Sequence, residues 1–126
     1  MPTKPVFAPR GRDGQPLMRE PVPFTPLIYL AGTRAHRLAL HRELNLLPER
    51  MKHWIVSDPV SGAMVCRVRG TYKGLPVASS GLGLRDARNA AMATLDELLE
   101  RVGSDAFNAR LAAAHAEFAP ASEVAA

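Results

Sequence analysis

The sequence predicts an α+β domain of α-β-β-β-α order: a three-stranded antiparallel sheet with helices packed on one face, plus a C-terminal helix. Three observations predict it. Apolar residues recur at helical spacing on both sides of residues 53–80. Between those stretches, short alternating runs are separated by turn residues. The connections are too short for parallel crossovers, so the strands must form a meander.

Residues 1–26 come first and hold seven of the eleven prolines: Pro2, Pro5, Pro9, Pro16, Pro21, Pro23 and Pro26. That density predicts a flexible proline-rich leader with no regular element. It carries Lys4, Arg10, Arg12 and Arg19 against Asp13 and Glu20, so it also reads as a basic arm able to follow a phosphate backbone. The α+β domain spans 27–103, and 104–126 forms a helical extension.

The first helix is expected to begin around Thr33, with Gly32-Thr33 leading in and Pro48 shortly after its end. At 100° per residue, His36, Leu40, Leu44, Leu47 and Met51 fall on one side as a core face. Arg34, Arg37, His41 and Asn45 form a polar, mostly basic stripe opposite.

Trp54 to Ser57 reads as the first strand, and Asp58-Pro59-Val60-Ser61-Gly62 as turn chemistry. Ala63 to Arg69 alternates and reads as the second strand. Cys66 and Val68 are expected to face the helices; Val65, Arg67 and Arg69 face water. Gly70 to Gly74, with Lys73 inside it, is the next turn region, and Leu75 to Ser80 the third strand.

A long helix is predicted from about Arg85 to Val102, with Ala87, Ala91, Leu95, Leu98 and Val102 as its apolar stripe. Asp96, Glu97 and Glu100 form a solvated face, and Asp86 is one candidate N-cap that would partly neutralise Arg85 and Arg88. Gly103 ends this helix and Ser104 caps the next, in which Phe107, Leu111, Ala114 and Phe118 recur at helical spacing.

Composition narrows the function classes. The chain has 126 residues, a net charge of +4 and 47% apolar residues, which fits one small basic domain. Cys66 is the single cysteine, so no internal disulfide forms and a reducing, cytoplasmic setting is expected. No apolar run is long enough for a membrane span.

Chemistry-bearing motifs are scarce. Gly81-Leu82-Gly83 begins like a dinucleotide fingerprint, but Asp86 stands where the third glycine belongs and would repel a pyrophosphate. No Gly-Lys-Ser/Thr completes a P-loop. His36, His41, His53, His115 and Cys66 have no ligand spacing that closes a metal site. Clustered carboxylates or a nucleophile beside a base are equally lacking. The expectation is a non-enzyme without cofactor, metal or small-molecule substrate.

Arg85 and Arg88 stand near the positive end of the long helix, where acids are favoured. Cations placed there make sense if an outside anion meets the helix N-terminus. With the helix-meander-helix order, "ASSGLGLRDARNAAMATLDELL" resembles the double-stranded RNA-binding domain family. Gly81 and Gly83 match that family's Gly-x-Gly exit from the third strand. Ala87-Arg88 matches its Ala-Lys pair, and Ala90-Ala91 its alanines. Asp58-Pro59-Val60-Ser61-Gly62 sits where the family has its minor-groove loop. The chain is two residues shorter between Gly83 and Ala87, which leaves Arg85 in place of a lysine pair. The resemblance covers about residues 30–103. It implies binding of duplex nucleic acid, with Arg34, Arg37 and His41 in one minor groove, the loop near Pro59 in the next, and Arg85 and Arg88 on the phosphates between.

Two alternatives stand beside it. Arg67 and Arg69 on the open sheet, with Lys73 in the turn, are similar to the sheet faces that some phage-type integrases and plant AP2 regulators lay into the DNA major groove. In the other, the module binds a protein partner or a second copy through Phe107, Leu111 and Phe118, without nucleic acid.

Overall fold

The computed structural model describes residues 4–118, with the side chains of Tyr72 and Phe118 outside that description. Two short strands, β1 (Val6–Phe7) and β2 (Val22–Pro23), pair near the start. A four-stranded antiparallel sheet follows in the order β3 (Thr25–Ala31), β4 (Arg34–Arg42), β5 (Trp54–Ser57) and β6 (Met64–Arg67). β7 (Arg69–Tyr72) and β8 (Leu75–Ala78) form a separate hairpin, and the chain closes with helices α1 (Leu84–Val102) and α2 (Ser104–Phe118).

The fold is α+β as expected, but the sheet has four strands rather than three, and the expected first helix is β4. Gly32-Thr33 does not lead into a helix. It is the two-residue loop of a hairpin in which Ala31 opposes Arg34 and Gly32 takes a φ of 64°. β4 presents His36, Leu38 and Leu40 to the helices and Arg37, Ala39 and His41 to the other face. Leu38 through His41 are nevertheless all buried, because the second face is covered as well.

The cover comes from the N-terminal segment, which is not the featureless leader that its prolines suggest. Phe7 and Phe24 meet edge-to-face with centroids 5.5 Å apart over Ala39. Arg10 N–H donates to Gly62 O (2.8 Å), which ties the segment to the loop after β5. The prolines fit because the pairing is brief: β1 and β2 match only two residue pairs.

The main core lies between the sheet and the helices. Leu27, Tyr29, Leu38, Leu40, Trp54, Val56 and Val68 meet Ala87, Ala91, Leu95, Phe107 and Leu111 there. Alanines at 87 and 91 give α1 a thin face, so it lies close to the sheet. The expected strand from Ala63 to Arg69 bends at Val68: β6 pairs with β5 and β7 with β8, while Val68 N–H still donates to Trp54 O (2.9 Å). The register slips between Val56 and Ser57, and Val65 packs against the core rather than facing water.

Candidate nucleic-acid interface

The corner between β8 and α1 is built from the residue upward by Arg42. Its Nη1 donates to Ser80 O (2.7 Å), Lys52 O (2.9 Å) and Glu49 O (3.1 Å), and its Nη2 to Leu82 O (3.2 Å). The guanidinium stacks 4.3 Å above the Trp54 ring. Trp54 Nε1 also donates to Leu82 O (3.0 Å), and Trp54 N–H to Ser79 Oγ (2.9 Å). These bonds fix the short 3₁₀ turn Ser79–Gly81 and hence the point where α1 starts. Arg42 carries no motif signal; only its place beside Trp54 in the fold reveals it.

Gly83, not Asp86, caps α1, and it supplies no side-chain bond. Asp86 lies in the first turn of the helix proper. The leading N–H groups therefore have no side-chain cap. Neither Gly81 nor Gly83 takes a positive φ, and a Cβ on either would meet nothing within 4 Å. Glycine is not demanded there by the backbone; its effect is to leave the peptide groups bare. Arg85 and Arg88 are exposed beside them, with no acid within ion-pairing distance among the described residues.

The other expected contacts disperse. Arg34 is exposed at the hairpin tip. Arg37 lies on the outer face with its guanidinium 5.2 Å from the centre of the Phe24 ring. Arg37 stands five and Arg34 eight residues along β4 from Arg42, which puts Arg34 roughly 27 Å from Arg42 at strand rise. His41 is removed from any contact surface: it is 6% exposed, with its ring 5.1 Å from that of Phe7.

Arg67 and Arg69 do not share a face, because the bend at Val68 parts them. Arg67 reaches Glu43 (3.3 Å), while Arg69 pairs with Glu97 of α1, and its N–H donates to Thr94 Oγ1 (3.0 Å). Lys73 takes a φ of 52° beside Gly74 in the β7–β8 turn, two successive positive values that twist a two-residue loop as the hairpin needs. The acids on α1 are not merely a solvated face: Tyr29 OH donates to Asp96 Oδ1 (2.8 Å), and Glu97 holds Arg69.

The expected partner contacts are spent internally. Phe107 is 5% and Leu111 7% exposed, and the Phe107 ring packs edge-on against Tyr29 and His36. The expectation for Phe118 concerns a side chain outside the described residues.

The remaining chemistry is structural. Burial pushes the Cys66 thiol up to about 11, which keeps it protonated and unreactive. The buried Asp58 carboxylate accepts from Ser61 Oγ (2.6 Å) and from the N–H groups of Val60 and Ser61. His115 Nε2 of α2 lies 2.8 Å from the same carboxylate. The serine donates to the aspartate rather than to the histidine, so the three do not form a nucleophilic relay. Among the described residues no cluster of His, Cys, Asp and Glu could hold a metal ion, and no helix is long and apolar enough to cross a membrane.

No protein-family model, no curated protein and no solved structure matches the chain.

Proposed function

We propose that the chain is a non-enzymatic, cytoplasmic nucleic-acid-binding module that grips the phosphates of duplex RNA or DNA. One observation carries this reading: α1 begins without a side-chain cap, behind bare glycine peptides, beside Arg85 and Arg88, which no acid among the described residues pairs. Free N–H groups and two guanidinium groups at one helix end suit a phosphate oxygen. The corner is also where the resemblance to double-stranded RNA-binding domains is strongest. That family's first helix has no counterpart here, so β4 cannot enter a minor groove in the family manner. Arg34 and Arg37 remain as separate basic residues on opposite faces of β4.

The open-sheet mode has less support. Phe7 and Phe24 cover part of that face, and Arg67 is engaged by Glu43. The protein-partner reading keeps a separate surface. Leu75 is 68% and Val77 40% exposed on the β7–β8 hairpin, apolar area left outside the core.

The test is fluorescence anisotropy with duplex RNA, duplex DNA and single strands at two salt concentrations. Binding that weakens steeply with salt is expected, and Arg85→Glu with Arg88→Glu should weaken it strongly, leaving residual binding at low salt. Losing two phosphate contacts should flatten the log–log salt slope by about 2. Absence of binding to every nucleic acid at low salt overturns the proposal and leaves the protein-partner reading.

A further inference from the structure

β3 is the outermost strand of the four-stranded sheet, and among the described residues β4 is its one partner there. Edge strands normally carry charges or bulges that prevent pairing with another chain. β3 reads TPLIYLA and holds no charged residue. It also exposes two large apolar side chains on the face away from the helices, Ile28 at 63% and Leu30 at 61%. The opposite edge, β6, is treated differently: it contains Arg67 and bends away into the β7–β8 hairpin.

We infer that β3 is the interface of a homodimer, pairing antiparallel with β3 of a second copy. The geometry of the edge selects this occupant. Phe24 N–H donates outward to Pro5 O (3.0 Å), so strand alternation turns the N–H and C=O groups of Ile28 and Leu30 to the same outer side. Pro26 has no N–H to offer. The usable edge therefore runs over 27–31, bounded by Pro5 at one end and the Gly32 loop at the other.

That stretch is symmetric about Tyr29. A two-fold axis there sets Ile28 of one copy opposite Leu30 of the other, twice, as hydrogen-bonded pairs. The four exposed side chains then form one apolar cluster on the outer face, with no like charges opposed across the axis. The partner's hairpin loop falls beside Pro5, where the free edge ends. The two sheets become one of eight strands, with Arg34 and Arg37 of both copies on its surface. The inference stands on the strand alone and does not depend on nucleic-acid binding.

Sedimentation equilibrium of the full chain without nucleic acid tests it. A concentration-dependent mass of twice the chain is expected. Leu30→Lys should return a folded monomer whose melting no longer depends on concentration, whereas Val77→Lys, which alters an exposed apolar residue elsewhere, should keep the dimer. Register is tested by mixing Ile28→Cys with Leu30→Cys chains, both carrying Cys66→Ser. The mixture should form an intermolecular disulfide that neither chain forms readily alone, because opposed residues lie within disulfide reach. If Leu30→Lys fails to fold, this pair decides. A monomer up to about 100 μM, where even a micromolar dimer would be populated, overturns the inference. So does a dimer indifferent to Leu30→Lys, or a mixture that does not cross-link.

Discussion

The imidazole of His41 sits between a carbonyl and a hydroxyl. Arg42 O lies 2.8 Å from Nδ1, and Ser57 Oγ lies 2.8 Å from Nε2. A carbonyl only accepts, so Nδ1 carries the proton and Nε2 accepts from the serine. Burial lowers the pKa of this ring below its ordinary 6.5, against a smaller opposing effect of the Arg42 carbonyl. The folded state therefore binds the proton less well than the unfolded state. Stability from this site is present above the unfolded pKa of about 6.5 and is lost as pH falls through the folded value. Thermal melts should show the midpoint dropping below about pH 6.5, and His41→Gln should flatten that drop. A slope that the substitution leaves unchanged would assign it to other groups. At the same scale, Leu95 is fully buried in the main core, and Leu95→Ala should cost about 2–5 kcal/mol in denaturant unfolding.

At the scale of elements, the loop after β5 depends on Gly62. Its φ is 79°, and a Cβ there would run into the Ala8 carbonyl. Gly62→Ala should destabilise by about 1–3 kcal/mol and detach the Arg10–Gly62 bond, seen as faster proteolysis within residues 4–20. Arg42→Lys should also be damaging. An ammonium cannot span Ser80 O and Leu82 O while stacking on Trp54, so melting should fall and nucleic-acid affinity weaken several-fold through a loosened α1 corner. The elements explain which parts of the fold the sequence reveals. Trp54–Ser57 reads as a strand because turn residues bound a β-rich run. Leu84–Val102 reads as a helix because one buried face repeats at 3.6 residues and Gly103 stops it. β4 misleads because both of its faces are covered: Ala39 and His41 are as buried as Leu38 and Leu40, which erases the period-two alternation. What remains is His36, Leu40 and Leu44 at intervals of four, the mark of a helix. The candidate corner is marked in the sequence by its glycines and arginines. Arg42, which builds it, is not, because a lone arginine announces nothing until the fold sets it on Trp54.

At the scale of the whole molecule, the N-terminal residues decide whether the outer face of the sheet is wet throughout or covered around Ala39 and His41. Local propensity marks residues 1–26 as a leader, since prolines forbid long pairing. Long-range burial overrides it, with Phe7 at 4% and Phe24 at 2% exposure against the outer face. Without the segment, Ala39, His41 and Ser57 would meet water on a sheet built to be covered. A chain beginning at Phe24 should therefore melt well below the full chain and bind a hydrophobic dye. Phe7→Ala alone should account for about 3 kcal/mol of the loss. The same truncation also separates the roles of the basic residues. It removes Lys4, Arg10, Arg12 and Arg19 while leaving Arg85 and Arg88 in place. If the corner of α1 holds the phosphates, the shortened chain below its melting point should still bind duplex with modestly weaker affinity and a smaller salt slope. If binding vanishes while circular dichroism shows the fold intact, the N-terminal cations are the contact surface and the corner is not.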